Sequence, residues 1–319
     1  MSRRPRLVHL GNVLVDVVAA VPALPARGAD VLATSLGATV GGGFNLMSAA
    51  ARQGVPVDYA GAHGTGPFAD LVRAALAGAG IAALCPPRPT DSAVVVVIVD
   101  GDGERTLLSS PVGVAGPTAA ELAGVRPAAC DVVSLTGYGL LEQASRAALL
   151  DWLPRLPVGV LVGLDPGPLA PSAQPAALHE VLARADWVSA SAREAVELTG
   201  LADPERAAAA LAGRTRRGAL VRIGATGCVL AEAGAAPVAV PGVAVRPVDT
   251  TGAGDTHSGV FLAALLSGQD APTAARTANA AAAFAVTRRG PATAPTAAEL
   301  AGFLAAFPGY RTTAYRKPS

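Results

Sequence analysis

Apolar positions along this chain fall into two patterns. From about residue 130 onward, short runs that are apolar on both faces alternate with longer stretches in which apolar residues recur at helical spacing. Val132-Val133-Ser134-Leu135, Val158-Gly159-Val160-Leu161-Val162, Trp187-Val188-Ser189 and Leu220-Val221-Arg222-Ile223 read as buried strands. Glu142 to Leu153 and Pro204 to Ala212 read as helices between them. The alternation predicts a parallel sheet covered by helices on both faces, an α/β fold. Leu7-Val8-His9-Leu10 alternates towards a turn, as a first strand would.

Two earlier segments behave differently. Val13 to Val21 and Ala93 to Val99 are rich in β-formers, and the second turns through Asp100-Gly101-Asp102-Gly103 into Arg105-Thr106-Leu107-Leu108, a hairpin signal. They are assigned to a small β lid, residues 13–36 and 91–112, inserted into a core of residues 1–12, 37–90 and 113–319. Arg3, Arg4 and Arg6 ahead of an apolar run, with Ala23-Leu24-Pro25-Ala26 after it, sketch a signal peptide. Gly11-Asn12 and Asp16 interrupt that run, so a cytoplasmic protein is expected. Every apolar stretch is broken by Pro, Gly or charge before it could span a membrane, and no solenoid repeat is visible.

Composition narrows the chemistry. The 319 residues carry a formal charge of +1 with arginine and acidic residues interspersed, so neither nucleic acid nor an anionic membrane is expected as a partner. Cys85, Cys130 and Cys228 are scattered and read as reduced structural thiols, and His9, His63, His179 and His257 form no metal-ligand pattern. The only lysine is Lys317. That removes a P-loop, a protein-kinase strand lysine and Schiff-base chemistry together.

One string carries most of the functional signal. Asp249-Thr250-Thr251-Gly252-Ala253-Gly254-Asp255 sets a glycine turn and a carboxylate at the predicted start of an apolar helix running through Leu266. Unpaired N–H groups at a helix start, with the positive end of the dipole behind them, suit a transferring phosphate, and a carboxylate there can take the proton of an attacking hydroxyl. A dinucleotide turn would need a third glycine at His257 and a place after the first strand, and has neither. The bland reading is a capped helix, with Asp249 or Thr251 as the cap. The whole string resembles the C-terminal signature of the ribokinase-like (PfkB) carbohydrate kinases. The resemblance implies a three-layer α/β/α fold with a β-sheet lid, Asp255 as catalytic base, and Gly252, Ala253 and Gly254 as the anion hole.

Further stretches are similar to the same family from about Leu7 to Leu304. Asn12, Asp16 and the run Gly41-Gly42-Gly43-Phe44-Asn45 resemble its substrate-binding elements, with Val40 where the first glycine usually stands. Taken alone, Asp16 could be a surface strand residue and Asn45 a helix cap. Gly61-Ala62-His63-Gly64-Thr65-Gly66 resembles a family turn in which Gly66 replaces an aspartate, and Asp165-Pro166-Gly167 a strand-end motif in which Gly167 replaces an asparagine. Ser191-Ala192-Arg193-Glu194 lies where the family organises magnesium and phosphate, with Glu194 acting through water. The same four residues could simply form a capping box. Arg222, Gly224 and Gly227 look like the strand-end Gly-x-x-Gly passing near ATP, and the resemblance aims Asn279 at the adenine pocket. Thr287-Arg288-Arg289-Gly290-Pro291, with Asp249 and Thr251, is similar to the loop that holds K+ in some members.

The sequence therefore points to ATP- and Mg2+-dependent phosphorylation of a sugar or sugar-like alcohol, with a homodimer through the lid left open by the resemblance. Two other readings stay open: a nucleoside kinase in which Phe44 stacks on a base, and a catalytically weak ligand sensor on the kinase fold.

Overall fold

In a computed structural model of the protein, residues 3–110, 116–168 and 174–311 are described. The expected boundary between lid and core at residues 112 and 113 falls outside them. Along the first half of the chain run β1 (Leu7–Leu10), β2 (Val13–Ala20), β3 (Ser35–Gly42), α1 (Gly43–Arg52), β4 (Val57–Tyr59), α2 (Pro67–Gly78), β5 (Ala82–Ala83), β6 (Ala93–Val99), β7 (Arg105–Ser109), α3 (Ala119–Gly124), β8 (Val132–Thr136) and α4 (Gln143–Trp152). The second half adds β9 (Leu161–Asp165), α5 (Pro175–Arg184), β10 (Trp187–Ser191), α6 (Ala192–Thr199), α7 (Pro204–Ala212), β11 (Gly218–Arg222), β12 (Gly227–Glu232), β13 (Val238–Pro241), α8 (Ala253–Leu266), α9 (Ala271–Ala285) and α10 (Ala297–Ala305).

The large sheet has nine strands in the order β13-β12-β11-β10-β9-β8-β1-β4-β5. Seven are parallel, and β12 and β13 close one edge antiparallel. Alternation along each strand divides its side chains between two apolar cores. Leu7 packs on the α1, α8 and α9 side, whereas Val8 and Leu10 face the side of α4 to α7. The run at Leu7–Leu10 that resembled a leader is thus a fully buried central strand. Helix α8 is apolar almost all round because it lies between the sheet, α1 and α9, and Gly259 lets its backbone approach that of Leu46. No helix among the described residues is long and apolar enough to cross a membrane.

Two boundaries differ from the sequence reading. The strand expected from Val158 begins three residues later, because Gly159 has a positive φ of 101° in a turn that leaves Val158 exposed. This moves Asp165 to the strand's carboxyl end. Residues 37–42, assigned to the core, belong instead to the small sheet of order β3-β2-β6-β7, where β3 pairs with β2 from Ser35 to Gly42. No loop separates β3 from α1.

Candidate active site

A cleft of 590 Å³ opens at the carboxyl ends of the parallel strands, beneath the small sheet. It brings together residues distant in sequence: Asn12, Asp16, Gly42 and Gly43 from the N-terminal region, Asp165, Glu194 and Arg222 from the strand ends, and Gly252 to Asp255. This is the crevice where open α/β sheets bind ligands.

Gly252 precedes α8 in a left-handed conformation, φ 71°, and a side chain there would press on the Asn45 amide. The turn is therefore glycine for two reasons, conformation and close approach. Ala253 N–H closes onto Thr250 O at 3.2 Å, while the N–H groups of Gly252 and Gly254 have no partner among the described residues. Two free donors at a helix start are a geometry that suits an anion.

Asp255 stands on the first turn of α8, and its Oδ2 accepts a 3.0 Å hydrogen bond from Asn45 Nδ2. Burial raises its pKa to about 6; the Asn45 bond and Arg222 oppose the rise, and the nearby Asp165 and Glu194 carboxylates add to it. A carboxylate tuned this way is ionised at neutral pH yet still basic. Asn45 is not a helix cap: it lies inside α1, buried, with its carbonyl oxygen unpaired.

Arg222 organises the floor. Its Nη1 donates to Asp165 Oδ2 at 3.1 Å, Ser189 O at 3.0 Å, Ser189 Oγ at 2.6 Å and Ser258 Oγ at 3.0 Å, and its Nη2 lies 3.5 Å from Glu194 Oε2. Burial disfavours its charge, but Asp165, Glu194 and Asp255 outweigh this and hold it protonated. The sequence assigned Arg222 to the nucleotide; in the structure it is first an internal counter-ion that also lines the cleft. Ser191 and Glu194 do form the capping box, with Ser191 N–H donating to Glu194 Oε2 at 2.7 Å and Glu194 N–H to Ser191 Oγ at 3.2 Å. The same Glu194 carboxylate faces the cleft, so cap and site coincide.

Under the small sheet Asp16 projects from β2 into the cleft, and Gly41 on the paired strand leaves room for its carboxylate. Burial raises the pKa of Asp16. Asn12 O accepts from Gly43 N–H at 2.8 Å, tying the end of β1 to the start of α1.

Several expectations are corrected. Asn279 does not line the cleft: its Nδ2 donates to Val240 O at 3.0 Å and Pro241 O at 3.1 Å, and its Oδ1 lies 3.1 Å from His257 Nε2. A polar residue on an alanine-rich helix is here a clamp on the edge strand. Gly227 packs against the backbone of Val240 and Pro241, and neither it nor Gly224, whose position is open to solvent, lines the cleft. Phe44 packs on the apolar core rather than lining the cleft, which removes the base-stacking argument for a nucleoside. Asp249 Oδ1 accepts from Thr251 N–H at 2.9 Å and Oγ1 at 2.7 Å, and its Oδ2 from Gly290 N–H at 3.0 Å, so the two loops meet as the resemblance implied. The remaining partner of Asp249 is the Arg105 guanidinium, a cation that already engages this carboxylate. In this arrangement the donor set does not fit K+.

Some site residues escaped the sequence. Asp165 was noticed only for its missing asparagine neighbour, yet it is the main partner of Arg222. Tyr138, on the turn after β8, lines the cleft beside Gly167, whose missing side chain leaves the space that the Tyr138 ring borders. Burial and then the carboxylates Asp165, Glu194 and Asp255 push its phenol pKa up. Asp91, beside Gly66, accepts from Ala69 N–H at 2.8 Å and Phe68 N–H at 3.3 Å and so caps α2.

Comparison with known proteins agrees with this geometry. Residues 4–298 match the pfkB family carbohydrate kinase description. The chain is 31% identical over 316 residues to an uncharacterized sugar kinase, YegV, of Escherichia coli K12, covering 94% of each protein. The crystal structure of ribokinase from Thermotoga maritima superposes with a TM-score of 0.79 at 22% identity, covering 94% of this chain and 99% of that one. Arabidopsis thaliana ribokinase complexed with ribose and ATP superposes with a TM-score of 0.78 at 24% identity, covering 95% and 99%. By its sequence signature, its fold and the length of chain they span, the protein belongs to the pfkB family of carbohydrate kinases, which use ATP to phosphorylate sugars.

Proposed function

We propose that Asp255 is the general base that takes the proton from a substrate hydroxyl as the γ-phosphoryl group of ATP arrives, with the free N–H groups of Gly252 and Gly254 receiving the phosphate charge. The observation that carries this reading is the buried Asp255 carboxylate, its pKa raised to about 6 and oriented by Asn45, on the glycine turn that opens α8. General-base assistance of this kind is worth about 10²–10⁴ in rate, and positioning in the cleft supplies much of the remainder.

Asp16, Asn12 and the glycines at 41, 42 and 43 would hold the non-reacting hydroxyls. The ribose and ATP bound by the Arabidopsis relative support a pentose or similar sugar here. Asp165 and Glu194 suit a hydrated magnesium: both carboxylates are paired with Arg222, and this ion keeps several of its waters rather than exchanging them for protein oxygens. Magnesium bound with ATP would neutralise phosphate charge. The outer face of the lid, with Leu36 and Leu108 each 72% exposed, would pair two copies in a dimer.

The test is ATP consumption over a panel of pentoses, hexoses and nucleosides, with the product located by phosphorus NMR. A sugar phosphate formed only when Asp255 is intact supports the reading. Preferential turnover of nucleosides, or activity surviving loss of Asp255, would overturn it.

A further inference from the structure

Two buried polar atoms in the cleft have no hydrogen-bond partner among the described residues, His9 Nε2 and Thr136 Oγ1. His9 is the third residue of β1 and Thr136 the last of β8, and these strands are neighbours in the sheet. Gly11 sits between them. A side chain there would strike the imidazole edge on one side and the Thr136 methyl on the other, and a side chain at Gly43 would strike the same imidazole nitrogen. Glycine at both positions lets the backbone come up to this edge of the ring at the point where β1 meets α1, leaving Nε2 buried with no side chain over it.

The tautomer follows from the other nitrogen. His9 Nδ1 lies 3.2 Å from Ser134 Oγ, a buried hydroxyl with no other partner among the described residues. If Ser134 accepted from Nδ1, its own proton would be left unpaired inside the sheet; if it donates, both groups are satisfied. Nδ1 is therefore the acceptor and Nε2 carries the proton. Complete burial lowers the imidazole pKa to about 3, so the ring is neutral. A neutral N–H donor and a hydroxyl on two side chains that both border Gly11 match one alcohol group of a ligand, which accepts from the first and donates to the second.

The charges around them point to the same kind of ligand. Arg222, a cation of the cleft, is engaged by Asp165 and Glu194, and Arg105 at the rim by Asp249. Asp16 and Asp255 add negative charge. The stretches 111–115 and 169–173 contain no Lys or Arg. Among the described residues Arg222 is the only cation lining the cleft, so an anionic sugar acid or sugar phosphate would meet carboxylates there.

We propose that His9 and Thr136 form a subsite that reads one non-reacting hydroxyl of an uncharged polyol substrate, His9 Nε2–H donating to its oxygen and Thr136 Oγ1 accepting its proton. The proposal rests on the sugar-kinase reading of the cleft and names the class of sugar. Ser134 acts as a positioning residue, because it decides which imidazole nitrogen carries the hydrogen.

The experiment measures binding and turnover separately in the full chain. Calorimetric titrations with D-ribose and D-fructose, without ATP, are compared for the wild type, His9→Phe and Thr136→Val. Loss of one such hydrogen bond is expected to weaken sugar binding roughly ten- to a hundredfold with ATP affinity unchanged. Among monodeoxy sugars, the one that the wild type binds worst should bind His9→Phe no worse than its parent sugar does, since the shared contact is already gone. Ser134→Ala should give a smaller loss in the same direction. If His9→Phe does not fold, Thr136→Val decides.

Sugar affinity within about twofold of wild type in folded His9→Phe and Thr136→Val would overturn the proposal and assign the two atoms to packing or a buried water. Tighter binding of D-gluconate or ribose 5-phosphate than of the neutral sugars would overturn the ligand class. Failure of the kinase reading looks different: sugars would bind with the expected dependence on His9 while none supported ATP consumption.

Discussion

Arg105, at the start of lid strand β7, reaches Asp249 on the loop that leads into the glycine turn, its Nη2 lying 3.3 Å from the carboxylate. This ion pair joins the lid to the loop that precedes α8. It is partly exposed, so it contributes no more than about 1 kcal/mol. Burial by itself would raise the pKa of Asp249, but the Thr251 and Gly290 donors and Arg105 together hold it below the usual carboxylate range.

Replacing Arg105 should expose that carboxylate to solution cations. Arg105→Ala is expected to leave the melting temperature nearly unchanged while making the rate more responsive to K+ than that of the wild type. Rate measurements in potassium chloride against choline chloride at equal ionic strength check this. An identical K+ response in both proteins would show that the guanidinium does not stand in for the ion.

Asp255→Asn preserves shape but removes the base, and turnover should fall at least about a hundredfold while ATP still binds. For the wild type, kcat/KM should rise with pH through about 6, the value to which burial raises this carboxyl from its ordinary 3.8. Stability runs the other way. The folded state holds the proton more tightly than the unfolded chain, so the contribution is complete below about pH 4 and lost as pH rises through about 6. Asp255→Asn should therefore melt at a higher temperature than the wild type at neutral pH. An inactive variant that melts lower would contradict the burial argument.

Glu194→Gln separates cap from site. Its carbonyl can still accept from Ser191 N–H, so the helix start should survive, but Arg222 keeps only Asp165 as a directly paired carboxylate. The Mg2+ concentration for half-maximal rate should rise several-fold, with sugar affinity and melting temperature little changed. A magnesium titration decides; an unchanged midpoint would confine Glu194 to its capping role.

Asn279→Ala should act on stability and leave ATP alone. The carbonyl of Val240 loses its side-chain donor while that of Pro241 keeps the Tyr310 hydroxyl at 3.1 Å, and a loss of about 1–3 kcal/mol is expected for the buried groups left short of a partner. Thermal melting and the KM for ATP, measured on the same preparation, report the two effects. A raised KM for ATP at unchanged stability would return Asn279 to the nucleotide site.

The sequence exposed what depends on local pattern. Strands β8, β10 and β11 and helices α4 and α7 were legible because apolar runs and helical spacing are short-range signals, and Gly252 and Asp255 because a turn and a helix start occupy adjacent residues. The paired ends of β3 and α1 were not legible. A run of three glycines reads as a loop, and only pairing with β2 makes Gly41 and Gly42 part of a strand. Asn279 was misread because a lone amide on an alanine helix gives no direction, and its partners lie 38 and 39 residues away. His9 carried no signal, since its distinction is an unpaired nitrogen, visible only once β1, β8 and α1 are assembled.

The direct passage from β3 into α1 turns the lid into a lever. Gly42, with φ 62°, is the pivot between a strand that roofs the cleft and a helix whose first turn holds Asn45. Were the first turn of α1 displaced far enough to break the bond from Asn45, the Asp255 carboxyl would lose a donor that favours its charge and hold its proton to a higher pH. The acidity of one side chain is thus set by where a lid strand ends.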